Sequence, residues 1–171
     1  MGRFQRDLLP NGVMAISLGG WGAWLKFGII GGPYDSFQRG VTGDFGVCVR
    51  AECAPDEYDV WLPIRDFDVP QSKRDTEYAL ERTLEAAMNG RRVYVGCMGG
   101  WGRTGLFLAL LAKCCGVKDP VAYVRRVYSR RAVERPEQER YVRDFNVARL
   151  QGSLVVMAWQ ARLARVITLR W

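Results

Sequence analysis

Apolar positions along this chain alternate between two spacings. Short runs rich in β-branched and aromatic residues occur at Val13 to Leu18, at Phe45-Gly46-Val47-Cys48-Val49-Arg50 and at Tyr58 to Ile64. Each reads as a strand, the last two separated by the turn-like Ala54-Pro55-Asp56-Glu57. A further strand is predicted over residues 91 to 96, whose centre is the apolar Val93-Tyr94-Val95. Between and after these runs the spacing turns helical. Leu80, Leu84, Ala87 and Met88 fall on one face of a helix that Asp75 would cap and Asn89-Gly90 would stop. Leu106 to Leu111 is a run of good helix formers continuing to Gly116, and Asp119-Pro120 opens another helix with Val121, Val124 and Val127 inward. Ala132 to Glu139 starts one more, and Leu154 to Trp159 suits a final packing helix or a dimer contact. Strands feeding helices in this way predict a single α/β domain with a central mixed or mainly parallel sheet flanked by helices.

Residues 12 to 46 interrupt the pattern with Gly19-Gly20-Trp21-Gly22 and Gly31-Gly32-Pro33, which are expected to make turns joining short strands. The length of 171 residues suits one domain with its own core. There is no 18-residue apolar span and no apolar stretch after Met1-Gly2-Arg3-Phe4-Gln5-Arg6-Asp7, so a cytoplasmic protein is expected. Gly2 invites a lipid anchor, but Arg6 stands where that signal wants serine or threonine. Cys48, Cys53, Cys97, Cys114 and Cys115 are odd in number and lack a Cys-x-x-Cys pair, and the chain has no histidine. Neither a metal site, a cofactor nor a disulfide framework is expected. The net charge of +7 favours acidic partners without choosing among phosphoproteins, nucleotides, nucleic acid and anionic lipid.

The chemistry concentrates where the 91 to 96 strand meets the next helix. Cys97-Met98-Gly99-Gly100-Trp101-Gly102-Arg103-Thr104-Gly105 reads as a tight loop opening a helix. Its glycines let successive N–H groups turn onto one point, and the helix start adds a positive dipole end, which together make an anion cradle. Cys97 puts a thiol at the mouth, and Arg103 supplies a fork for two phosphoryl oxygens. A cysteine so surrounded is expected to be largely thiolate near neutrality, with Thr104 able to donate to the sulfur. The bland alternative is a small buried cysteine in an ordinary turn, which gives no reason for the arginine.

This segment resembles the P-loop of the cysteine-dependent tyrosine and dual-specificity protein phosphatases, His-Cys-x-x-Gly-x-x-Arg-Ser/Thr-Gly. Cys97, Gly100, Arg103, Thr104 and Gly105 match in register, and Gly96 replaces the histidine. The resemblance implies a phosphomonoester hydrolase working through a phosphocysteine, with Met98, Gly99, Gly100, Trp101 and Gly102 lining the phosphate site. It also implies a general acid on the loop Asp66-Phe67-Asp68-Val69-Pro70, similar to the family's Asp-x-x-Val-Pro, with Asp66 in the acid's position 31 residues before Cys97. Asp68 is then a loop-shaping or substrate-facing residue. Gln138 resembles the family's water-positioning glutamine, or is an exposed first-turn residue. The resemblance covers 58 to 116 most strongly, so residues 1–151 are read as the catalytic domain and 152–171 as an extension. The implied substrate is phosphoprotein, phosphotyrosine or dual specificity. The alternatives are a non-catalytic phosphate-binding pseudophosphatase, which the Gly96 departure allows, and an RNA or nucleotide 5′-phosphatase, for which no RNA-binding motif is present. The oligomeric state is left open.

Overall fold

The computed structural model describes residues 12–17, 26–52 and 56–168. Five described strands form one mixed sheet: β1 (Gly12–Ser17), β2 (Lys26–Pro33), β3 (Phe45–Cys48), β4 (Val60–Trp61) and β5 (Val93–Cys97), in the order β1-β2-β5-β3-β4. β1 and β2 are antiparallel, and the remaining pairs are parallel. The central strand β5 is buried along its whole length, as the run Val93-Tyr94-Val95 requires. Its last two residues register with Gly32 and Pro33 on one side, and Gly96 with Cys48 on the other.

The helices are α1 (Lys73–Met88), α2 (Gly102–Cys114), α3 (Pro120–Val127), α4 (Pro136–Asp144) and α5 (Ala148–Thr168). α2 follows β5 directly, and every residue in it except Lys113 is buried. A helix apolar on all sides belongs in the middle of a domain, and α2 contacts α1, α3, α4, α5, β2 and β5. It is therefore held from every direction, which fixes the loop at its N-terminus. α5 seats Leu150, Leu154 and Ala158 on the domain and contacts α1 and α2; its start at Ala148 carries it across the 151/152 boundary drawn from sequence.

The structure corrects several expectations. Lys26–Pro33 is a full strand and not a string of turns. Its glycines serve close packing: a Cβ on Gly31 would lie 2.7 Å from the Tyr128 ring, and one on Gly28 3.1 Å from Val13 Cγ1. The strand expected over Tyr58 to Ile64 shrinks to the two residues Val60–Trp61, and Tyr58 ahead of it donates its hydroxyl to the Tyr34 carbonyl. α1 is capped by Ser72, whose Oγ accepts from Asp75 N at 3.2 Å, so Asp75 lies inside the first turn. α3 ends at Val127, leaving Arg130 and Arg131 off the helix. Arg125, on α3, donates to the Ala132 and Val133 carbonyls and pairs with Glu139. Leu18, the Gly19 to Gly22 cluster, Cys53, Ala54, Pro55, Met1 to Asp7 and Arg170 lie outside the described residues.

Candidate active site

The loop between β5 and α2 closes on Cys97, the last residue of β5, which is buried with 3% of its surface exposed. Gly100 takes a φ of 75°, open to glycine and rarely to other residues, and this turns its N–H onto the Cys97 sulfur at 3.3 Å. Among the described residues no side chain caps α2, so its first N–H groups have no side-chain partner there at the cap. The sequence-predicted loop residues gather as expected: Met98 is exposed at the lip, Gly99 packs under the Trp101 ring, and Gly102 begins α2. Thr104 is fully buried, but its Oγ1 has no hydrogen-bond partner among the described residues. The expected bond from Thr104 to the sulfur is therefore not made; the Gly100 N–H takes that role.

Arg103 is buried, with its side chain 3% exposed. Its Nη1 donates to both carboxylate oxygens of Glu52, at 2.8 and 2.9 Å, and to the Ile64 carbonyl at 3.1 Å. Nη2 lies 3.3 Å from Asp66 Oδ1. These contacts spend the Nη1 corner and leave Nε without a protein partner among the described residues, so the Nε–Nη2 edge can take a bidentate anion in exchange for the Asp66 contact. Glu52 escaped the sequence reading. It belongs to no recognisable motif, and only its position across from Arg103 in space reveals it. Burial pushes its carboxyl upward, but the hydrogen bonds and charge of Arg103, its own backbone N–H and the charge of Arg50 outweigh that and hold it below the ordinary glutamate value. Arg50 in turn bonds Glu52 at 3.3 Å and lies over the Tyr34 ring, 3.9 Å from its centroid.

The two aspartates on the 66–70 loop are sorted by their surroundings. Asp66 is exposed and, among the described residues, meets the Phe67 N–H and Arg103. Asp68 is committed to its own loop, accepting from Val69 N at 2.8 Å and Gln71 Nε2 at 3.3 Å. Phe67 between them has a φ of 58°, a left-handed value costly for a bulky side chain, and Val133 across the site has the same. Gln138 joins these two strained segments. It is fully buried, its Oε1 accepting from Glu134 N and its Nε2 donating to the Asp68 carbonyl, both at 3.1 Å. The exposed first-turn alternative for Gln138 is thus excluded.

At Gly96 the space for a side chain is already filled. A Cβ there would lie 2.8 Å from Tyr34 Cα and 3.1 Å from the Tyr58 hydroxyl. Tyr58 donates to the Tyr34 carbonyl and Tyr94 to the Pro33 carbonyl at 2.7 Å, and burial pushes both phenols well above the ordinary tyrosine value. A tyrosine-bonded turn over residues 33–36 therefore backs the strand end where the resembling family has histidine.

Solved structures share this architecture. Tk-PTP in its active form superposes with a TM-score of 0.55 at 23% identity, covering 69% of this chain and 89% of that one. Kinase associated phosphatase, solved with its catalytic-site cysteine replaced by serine, gives 0.55 at 18% identity over 80% and 94%. At these identities the likeness is one of fold. Two uncharacterized proteins of Methanocaldococcus jannaschii are similar in sequence. One is 40% identical over 91 residues, or 53% of this chain and 61% of its own length. The other is 34% identical over 93 residues, or 54% and 58%. The chain thus spans about three fifths of the length of these relatives. Residues 52–152 match the family model of the Swiss Army Knife protein, DSP-PTPase phosphatase domain, a stretch running from Glu52 through the Cys97 loop to α5. By that match the chain belongs to the Swiss Army Knife family of dual-specificity-phosphatase-like domains.

Proposed function

We propose that this chain hydrolyses phosphomonoesters through a phosphocysteine intermediate, with phosphoprotein as the substrate. The observation that carries the reading is the convergence on one mouth of three groups. They are the Cys97 sulfur under the Gly100 N–H, the Arg103 guanidinium with Nη1 held by Glu52 and the Ile64 carbonyl, and the exposed Asp66 carboxylate 3.3 Å from Arg103 Nη2. In the first step the Cys97 thiolate donates an electron pair to phosphorus as the phosphorus–oxygen ester bond breaks, and protonated Asp66 gives its proton to the leaving oxygen. In the second, Asp66 removes a proton from water, whose oxygen attacks phosphorus and returns the thiolate, releasing inorganic phosphate. Throughout, Arg103 and the loop N–H groups stabilise the charge on the equatorial oxygens.

The remaining contacts support these roles. Glu52 and the Ile64 carbonyl hold Nη1, so Arg103 is aimed before substrate arrives and loses little freedom on binding. Gln138 ties the carbonyl of Asp68 to the Glu134 amide, which fixes the loop that presents Asp66. Asp68, bound within its own loop, has no carboxylate oxygen directed at Arg103. The test is turnover of p-nitrophenyl phosphate and of a tyrosine-phosphorylated peptide by the wild-type chain and by Cys97→Ser. The reading expects both substrates to be hydrolysed by the wild type and neither by the variant, which should still bind phosphopeptide. Equal turnover by a clean Cys97→Ser preparation would overturn it.

A further inference from the structure

Arg103 receives both carboxylate oxygens of Glu52 on a single nitrogen, Nη1, at 2.8 and 2.9 Å. A carboxylate left to itself beside a guanidinium spreads its oxygens over two nitrogens, the fork-to-fork pairing that is the stronger arrangement. Something therefore holds Glu52 short of Nη2. Packing does not, because 39% of the Glu52 side chain is open to solvent. The other side chain that reaches this carboxylate among the described residues is Arg50, whose Nε donates to Oε2 at 3.3 Å.

Arg50 is itself a fixed point. Its side chain is 7% exposed, and its Cζ lies 3.9 Å from the centroid of the Tyr34 ring, so the guanidinium is held through its face while an edge stays directed at Glu52. A buried guanidinium is costly unless it is paired, and among the described residues the carboxylate that it pairs with is that of Glu52. Its backbone is tied as well. Trp61 Nε1 donates to the Arg50 carbonyl at 2.7 Å, and the Ala51 N–H donates at 3.1 Å to the Ile64 carbonyl, the same oxygen that accepts from Arg103 Nη1. The ring under Arg50 is anchored in turn: the Tyr34 carbonyl accepts from the Tyr58 hydroxyl, and Tyr34 Cα packs so closely on β5 that a Cβ on Gly96 would lie 2.8 Å from it. Arg50 thus joins the turn behind the catalytic strand to the carboxylate that holds the clamp.

We infer that Arg50 is a positioning residue of the phosphate site: by holding Glu52 Oε2 it keeps that carboxylate end-on at Nη1 and keeps Nη2 of Arg103 open to a phosphoryl group. This rests on the reading of Arg103 as the phosphate clamp. Asp66 also meets Nη2, at 3.3 Å, but from an exposed loop that gives way to an anion; a Glu52 fork would set a second, better-held carboxylate in competition for the same nitrogen. Arg50 also takes up part of the Glu52 charge, which leaves Arg103 more of its own for the ligand. Arg50 touches neither substrate nor sulfur, and its whole effect passes through Glu52.

The test is a double-mutant cycle on the affinity for inorganic phosphate, measured by titration calorimetry on the full chain. With Glu52 in place, Arg50→Met should weaken phosphate binding about tenfold, the worth of one charge-assisted contact. In a chain that also carries Glu52→Gln the same change should cost less than about twofold, because an amide brings no charge to compete for Nη2. Unchanged affinity in Arg50→Met overturns the inference. So does an equal loss in both backgrounds, which would give Arg50 a merely structural role through Tyr34. Should Arg50→Met fail to fold, Arg50→Lys takes its place. It keeps the charge but neither the flat ring contact nor the directed Nε, so a loss of about threefold is expected, again only with Glu52 present, and the same two results overturn the inference. Phosphate binding is read without turnover, which separates this inference from the hydrolase reading. A wild type that binds phosphate with this coupling but hydrolyses no p-nitrophenyl phosphate ends the hydrolase reading and leaves the role of Arg50 standing. A wild type that hydrolyses it while the cycle shows no coupling does the reverse.

Discussion

Glu52→Gln separates an aimed arginine from an arginine that is merely present. The change keeps the size and one acceptor of the side chain but removes the charge that faces Arg103 across contacts of 2.8 and 2.9 Å. Breaking a fully buried ion pair from one side costs roughly 3–5 kcal/mol. Here the Glu52 side chain is 39% exposed, and Arg103 keeps the Ile64 carbonyl and Asp66, so a loss of about 1–2 kcal/mol is expected. In a chain of this length that lowers the melting temperature by about 2–8 °C. The effect depends on pH with a definite sign. The folded-state pKa of Glu52 lies below the ordinary 4.5, so its stabilisation is fully present above 4.5 and fades as pH falls through the lowered folded value. The gap between wild type and variant should therefore close in acid. For catalysis, an arginine displaced by about an ångström costs on the order of a hundredfold, so kcat/KM on p-nitrophenyl phosphate should drop by about ten- to a hundredfold. Thermal melts between pH 7 and 4 and steady-state rates make the comparison. A variant with unchanged melting temperature and unchanged kcat/KM would refute the argument that Glu52 positions the clamp.

Four further substitutions test the same geometry. Arg103→Lys replaces a fork by a point charge and should lower kcat by about 10²–10³; a loss of less than about tenfold would mean that the transition state does not use the fork. Asp66→Asn should lower kcat by about 10²–10⁴ and flatten the alkaline limb of the pH profile, with a smaller loss on good leaving groups. Asp68→Asn should leave that profile in place, and the reverse pattern would exchange the two assignments. Gly96→Ala puts a Cβ 2.8 Å from Tyr34 Cα, a backbone atom that cannot swing aside, and should destabilise the fold by about 1–3 kcal/mol in urea melts; an unshifted midpoint would show that the tyrosine-bonded turn is softer than its packing implies.

What the sequence made legible was whatever nearby residues decide. The β5–loop–α2 unit could be read because a buried strand, a glycine turn and an apolar helix follow one another without a break, and the cysteine and arginine have fixed offsets within it. The order of the helices was readable for the same reason, down to Asp119 capping α3 through Ala122 N. β2 was not, since Gly28 and Gly31 look like turn residues until Val13 and Tyr128 are seen against them. Glu52 was hidden because its partner lies 51 residues away. Gln138 could be singled out by motif, but its burial and its bridge between Asp68 and Glu134 depend on two loops that meet only in the fold.

The central claim is that Cys97 forms a covalent bond to phosphorus, and rapid denaturing quench in base during turnover of an aryl phosphate tests it directly. Intact-mass and peptide analysis of the quenched protein should find the wild-type chain carrying one phosphoryl group on the peptide that contains Cys97, and should find Cys97→Ser unlabelled. The contradicting result is rapid phosphate release by the wild type with no adduct on Cys97 at any quench time, including with Asp66→Asn, whose second step is slowed.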